Sequence, residues 1–265
     1  MKSQRATVKI AYWFSKNHTN ERHRILVKTA NITHTLTIAI TLITALYLSW
    51  LVLIAYNCFY PALYDTLNIA DHIATYSPQN IYRHDFALTS KADHIIFFSA
   101  IVDAVTSNPE SLSNIEYKIN NQSTKLLTQA EIIHLNDVAN LIEYWSLIGL
   151  SITLIWLVLA FYKPLHVTKK SLTRSFLYLL SGLLSLAVAI MIAGPTTVFY
   201  WAHTQVFPDN HQWFFYYQES LMTTLMKAPN IFGWILVIWL TIATALFILL
   251  IFTLIKIHHH QNHKR

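Results

Sequence analysis

Residues 231–255 read IFGWILVIWLTIATALFILLIFTLI, inside a stretch from 228 to 255 that holds no Asp, Glu, Lys or Arg. A helix needs ~20 apolar residues to cross a hydrocarbon core, and lipid offers the backbone no hydrogen-bond partner, so such a run predicts a membrane helix. Three more charge-free stretches follow the same rule, at 29–64, 144–162 and 175–208. They place spans at 34–56, 144–162, 175–195 and 231–255. Composition agrees: 54% of the 265 residues are hydrophobic and 12% charged, against about 25% charged in a soluble domain. Disorder and an ordinary soluble globule are excluded. The one cysteine, Cys58, excludes an intrachain disulfide framework and a Cys-based zinc site.

The formal charge of +6 is a matter of placement. Segments 1–28, 163–174 and 256–265 carry fourteen of the nineteen basic residues and a single acid, Glu21. Segments 57–143 and 196–230 carry the other twelve acids and five bases. By the positive-inside rule the 1–33 segment, the 163–174 loop and the 256–265 tail are cytoplasmic, and 57–143 and 196–230 lie outside. The expected protein is multi-pass in the cell (inner, cytoplasmic) membrane, and the basic charge does not indicate nucleic acid. The first apolar run is too long for a signal-peptide core and lacks a small-x-small cleavage pattern, so it reads as an uncleaved span with Cys58 packed at its outer end. The fold class is all-α transmembrane: a four-helix membrane bundle with a small, mainly helical outer domain and room for a short β-hairpin.

Within 57–143, Ser90 reads as the N-cap of a helix to Ser107, with Asp93 at N3 and Asn108-Pro109 after it. Ile115, Tyr117 and Ile119 alternate with Glu116 and Lys118, and Asn120-Asn121 turns the chain towards 124–127, the pattern of a hairpin. Thr128-Gln129-Ala130-Glu131 is a capping box. The helix it starts meets no Gly or Pro before Gly149 and runs on into the second span. It carries His134 in its second turn, about 15 Å above Tyr144, and Asp137 three residues on along the same face.

The second outer segment gathers Phe199, Tyr200, Trp201, Phe207, Trp213, Phe214, Phe215, Tyr216 and Tyr217 beside His203, Asp209, Asn210, His211 and Glu219. An interfacial aromatic belt accounts for part of this; a surface that admits acyl chains and holds a polar head group has the same composition. Of fourteen histidines, those in the cytoplasmic segments (His18, His23, His166 and the 258–263 tail) read as solvated. His34 reads as interfacial, and His72, His84 and His94 carry little functional weight. His134 and His203 stand out, because both lie outside near span ends where two helices could join them. Imidazole titrates near neutrality, so a pair can divide proton transfers; two metal ligands completed by Asp137 or Glu219 are the other chemistry open to them. No HExxH, phosphate loop or GxSxG elbow occurs.

Thr128–Leu141, TQAEIIHLNDVANL, resembles a pattern in which a Ser/Thr-led helix carries H-x-x-D-V. Phe199–Met222, FYWAHTQVFPDNHQWFFYYQESLM, resembles that family's second block, F-x-x-x-H-x-x-x-F followed by a Trp-centred aromatic cluster and an acid before a Leu. The family is the four-helix lipoprotein intramolecular transacylases, Lit. The resemblance implies an acyltransferase that moves an ester-linked acyl chain of a bacterial diacylglyceryl-cysteine lipoprotein onto the cysteine α-amino group, giving a lyso-form. It implies His134 and His203 as catalytic, with neither metal nor cofactor. Asp137 and Glu219 are then orienting or amine-binding groups, Tyr200, Phe207, Asn210 and Trp213 hold substrate or acyl chain, and the partners are the lipoprotein and membrane lipids. Two alternatives stay open: a different lipid-modifying acyltransferase, and a non-catalytic sensor or assembly factor that binds a partner through its outer domain. The sequence leaves the oligomeric state open.

Overall fold

The computed structural model describes residues 33–162 and 169–263. The expected basic segment before 33, the start of the 163–174 loop and the last two residues of the tail lie outside the described residues, as do His18, His23 and His166. Among the described residues four helices are long and apolar enough to cross a membrane: α1 (Thr33–Ala55) and the apolar parts Gln129–Phe161, Phe176–Ala193 and Asn230–Ile257 of three longer helices. Between α1 and the second of these lies a head built from α2 (Tyr60–Thr66), α3 (Ile69–Tyr76), α4 (Lys91–Ser107), the antiparallel strands β1 (Glu116–Ile119) and β2 (Gln122–Lys125), and short 3-10 turns. The second long helix is α5 (Gln129–Tyr162), the third α6 (Lys169–Ala193). After α6 come α7 (Pro195–Val206), α8 (Leu221–Met226) and α9 (Asn230–His263).

Local sequence explains the element starts. Ser90 caps α4 by accepting from the Asp93 N–H, and the Asp93 carboxylate accepts from the Ser90 N–H at 2.8 Å, the reciprocal pairing of a capping box. The hairpin turns on Asn120 and Asn121, with φ of 51° and 64°, the left-handed pair that a two-residue turn requires and Asn tolerates. Gly194, at φ 86°, separates α6 from α7; a side chain is strained there, and Pro195 begins the next helix without needing an amide donor. α1 ends in three successive left-handed residues, Asn57, Cys58 and Phe59. They reverse the chain so that Tyr60 stacks on Phe98 with ring centroids 4.0 Å apart and donates its hydroxyl to the Leu225 carbonyl. Cys58 is buried, and burial pushes its thiol up to about 11.

In the bundle, α1 is the helix on which α5 and α9 close. The Trp156 indole donates to Thr41 Oγ1 (3.1 Å) and the Trp239 indole to the Leu46 carbonyl (3.0 Å). Gly149 gives the closest approach: a Cβ there would lie 2.2 Å from Tyr47 Cδ2. Helix α6 differs, since its spanning part Phe176–Ala193 buries none of its residues. The head has its own core, in which Tyr60, Ile69, Ile73, Phe86, Leu112, Tyr117 and Leu126 from the head pack with Leu221 and Leu225 of α8 and Ile231 of α9.

Two head histidines are structural. Thr89 gives its hydroxyl proton to the Phe86 carbonyl (2.6 Å), so His94 Nε2–H donates to Thr89 Oγ1 (2.7 Å) and His94 Nδ1 accepts from the Tyr64 hydroxyl (2.8 Å). Every polar atom of the neutral ring is used, and burial holds it down to about 4. His72, against Tyr76 and Tyr217, is likewise lowered to about 4 by burial and by Lys227.

Two predictions come from this packing. Gly149→Ala lowers stability in detergent by about 1–3 kcal/mol, and Tyr47→Ala relieves it, so the double variant unfolds at a higher temperature than the two single effects summed predict. Independently, His72 and His94 stay neutral in the fold but titrate near 6.5 when unfolded. Their stabilisation is complete above about pH 6.5 and declines as pH falls towards 4, by at most about 1.4 kcal/mol per pH unit for each. Unfolding followed by tryptophan fluorescence from pH 7.5 to 4.5 should show a falling midpoint, and a flat one would contradict the assignment.

Candidate active site

At 34 residues, α5 is about 51 Å long, well beyond a ~30 Å hydrocarbon core. Its acids, Glu131, Asp137 and Glu143, all lie in its first half, and its first turns pack against the head through Ala130, Ile132 and Leu135. One face of those turns is buried at Glu131, Leu135 and Ala139, spaced by four. Thr128 caps the helix: its Oγ1 accepts from the Glu131 N–H (3.3 Å), and Glu131 Oε2 accepts from the Thr128 N–H (2.5 Å).

Glu131 does more than complete that cap. It is fully buried, and its Oε1 accepts from the Ser220 hydroxyl (2.5 Å) and from the Met222 N–H (3.2 Å). Ser220 is itself the N-cap of α8, accepting from the Thr223 N–H at 2.9 Å. One carboxylate thus joins the start of α5 to the segment that closes the aromatic loop.

One turn on, the His134 ring lies 4.8 Å from the Phe207 ring and 5.8 Å from that of Phe215. Its Nδ1 is buried without a hydrogen-bond partner among the described residues. Burial in this nest pushes the imidazole down to about 4, with Asp137 opposing and His203 adding to the shift. His203 comes from the last turn of α7. Its Nδ1 lies 2.8 Å from the Phe199 carbonyl oxygen, which only accepts, so Nδ1 carries the proton and the neutral ring's lone pair is on Nε2. The His203 ring also packs on Phe199 (3.9 Å), Trp213 (5.0 Å) and Phe207 (5.4 Å). Both histidines therefore share Phe207 as a common wall.

The other expected residues fall in different places. Tyr200 packs on Trp213 (5.6 Å) and Phe214 (6.4 Å), extending the ring cluster from His203. Asn210 is exposed. Glu219 is half-buried, with no partner for its carboxylate among the described residues. Asp137 bonds through Oδ2 to His211 Nδ1 at 2.7 Å rather than to His134. His211 and the second role of Glu131 were not singled out from sequence. Among the described residues no group of three His, Cys, Asp or Glu side chains could hold a metal ion.

The sequence family model for "Lipoprotein intramolecular transacylase Lit" matches residues 35–228. The chain belongs to the Lit family. That makes it an integral membrane acyltransferase by family. A solved structure, the membrane integral lipoprotein intramolecular transacylase Lit from Bacillus cereus carrying a His-to-Arg mutation, is 14% identical with a TM-score of 0.57. The similarity covers 93% of this chain and 100% of that one, and shows that the Lit fold extends over nearly the whole molecule. No curated protein matches the sequence. Both blocks that carry the resemblance lie inside the matched region, and Glu131 with Ser220 ties one to the other.

Glu131→Gln should be costly, because glutamine offers one acceptor oxygen and puts an NH2 donor against an N–H or O–H wherever it is turned. A loss of about 1–3 kcal/mol is expected, and about 1 kcal/mol for Ser220→Ala, read as lowered unfolding midpoints in detergent. Equal midpoints for Glu131→Gln and the unaltered protein would show that the buried carboxylate is not needed.

Proposed function

We propose that this Lit-family protein transfers an ester-linked acyl chain of a diacylglyceryl-cysteine lipoprotein to the α-amino group of the same cysteine, on the extracytoplasmic side of the cell membrane, with both termini cytoplasmic. The observation that carries the reading is the shared wall at Phe207: two histidines from helices sixty-nine residues apart in sequence stand on one ring, 4.8 and 5.4 Å from it.

The tautomers suggest a division of labour. His203 Nε2, with Nδ1–H held by the Phe199 carbonyl, is the base for the attacking amine. As the nitrogen bonds to the ester carbonyl carbon it passes a proton to Nε2, and the carbonyl electrons move onto oxygen. His134, neutral and with a buried unpaired nitrogen, donates a hydrogen bond to that oxyanion or to the departing glycerol oxygen. Collapse breaks the carbon–oxygen ester bond, and the glycerol alkoxide recovers the proton, leaving an amide and a free hydroxyl. Nucleophile and ester belong to one molecule, so proximity lowers the barrier before any side chain acts. Tyr200 and Trp213 extend the apolar wall beside His203, a surface suited to the acyl chain, and Asn210 and Glu219 are the polar groups we assign to substrate binding.

Mass spectrometry of the N-terminal lipopeptide of an abundant lipoprotein tests this in cells producing the protein or its His134→Ala and His203→Ala forms. The acyl group should move from glycerol to nitrogen only with the intact protein. Each alanine should lower the yield at least about 100-fold at unchanged protein abundance; product retained in both variants would remove the mechanism.

A further inference from the structure

The acyl transfer proposed above leaves one proton unassigned, and this inference rests on that reading. An α-amino group titrates near ~7.7–8.0, so about nine-tenths of it is ammonium at pH 7, and an ammonium has no lone pair with which to attack an ester. The His134 imidazole stands between Phe207 and Phe215, and His203 among Phe199, Phe207 and Trp213. Burial disfavours a cation at His134, and His203 Nε2 must still be free to accept when bond making begins.

A second proton-accepting group stands at the edge of this nest. His211 closes the turn Pro208–His211, its N–H donating to the Pro208 carbonyl at 2.9 Å, two residues before the Trp213 that packs on His203. Its Nδ1 lies 2.7 Å from Asp137 Oδ2, and Asp137 is one helical turn beyond His134. A carboxylate oxygen only accepts, so Nδ1 carries the proton and Nε2 presents the lone pair. The two side chains are 30% and 17% exposed, so the pair is partly open to water, with Asp137 one turn from His134 on α5. The acids and imidazoles on the elements that meet here are Glu131, His134, Asp137 and Glu143 on α5, His203 on α7 and Asp209 on the same turn as His211.

We propose that His211, oriented by Asp137, takes the proton from the ammonium form of the incoming amine and so admits the substrate in its dominant protonation state. The nitrogen–hydrogen bond of the ammonium breaks with its electron pair left on nitrogen, and a new bond forms to His211 Nε2. Asp137 remains a carboxylate and balances the imidazolium, which passes the proton to water from its exposed side. The freed amine then reacts at His203 and His134. This assigns His211 and Asp137 a step separate from the acyl transfer itself, and it gives Asp137 a role through His211 rather than through His134.

The test is the pH dependence of kcat/KM for the full-length protein in detergent micelles with a synthetic diacylglyceryl-cysteine lipopeptide, between pH 6 and 9.5. His211→Asn and Asp137→Asn are compared with the unaltered protein, each checked for folding by its unfolding midpoint. Without the pair only the free amine is productive, so both variants should fall about tenfold at pH 7 and recover to within about twofold at pH 9, where free amine predominates. A loss by the same factor at every pH would mean that the pair merely holds the loop, and no loss at pH 7 would mean that it does nothing; either overturns the proposal. Asp137→Asn keeps an acceptor oxygen for His211 Nδ1–H, so it carries the readout if His211→Asn does not fold. His134→Ala and His203→Ala should be inactive across the whole range. An unaltered protein without transfer activity at any pH would overturn the acyl-transfer reading and this one with it.

Discussion

The site depends on a buried carboxylate that has no cation paired with it among the described residues. Glu131 is fully enclosed, and its charge is met by the Thr128 N–H, the Ser220 hydroxyl and the Met222 N–H. Taking a carboxylate out of water is expensive unless each oxygen is hydrogen-bonded, so these donors must stay together for the fold to hold. Their joint presence fixes the entry of α5 against the entry of α8. With those two points set, the loop leading to Ser220 must pass across the first turns of α5, which brings Phe207 and Phe215 onto His134 and His211 onto Asp137. Helix propensity alone would form α5; it would not place anything over it.

A second constraint comes from the spans. Their charge-free stretches meet α1 by shape and by a few indole hydrogen bonds, with Gly149 letting α5 approach Tyr47. Polar chemistry is thereby confined to where the helices leave the apolar layer. Gly194 sharpens this by ending α6 and letting α7 set off in a new direction, so that His203 comes back towards α5. Among the described residues none of the spanning part of α6 is buried.

What could be read from sequence was what is decided locally. The four spans follow from runs without charge. The caps at Ser90 and Thr128 and the Asn120-Asn121 turn involve partners one to three residues away, and all formed as expected. Paired strands and the continuous α5 followed from the same short-range patterns. That His134 and His203 could meet was suggested by their positions near span ends and by two motif blocks that resemble a family; the rings stand on one wall, Phe207. What escaped were partnerships across long sequence separations: Asp137 with His211, seventy-four residues on, and Glu131 with Ser220, eighty-nine residues on. Spacing along a helix suggested that Asp137 would turn to His134, but a neighbouring loop supplied a better-placed ring. One clue was available for Glu131, an acid in register with the apolar Leu135 and Ala139 on the face that became buried. An acid on such a face needs a reason, and here the reason is Ser220.

The ring nest also constrains the kind of chemistry the site can support. His134 sits where burial disfavours its cation, so a proton cannot rest there while other bonds wait to form. Under the proposed acyl transfer, a proton handled at His134 would move together with bond making and breaking at the ester. His134 and the pair of Asp137 with His211 therefore differ in access to solvent one helical turn apart: the pair is partly open to water, whereas His134 Nδ1 is not.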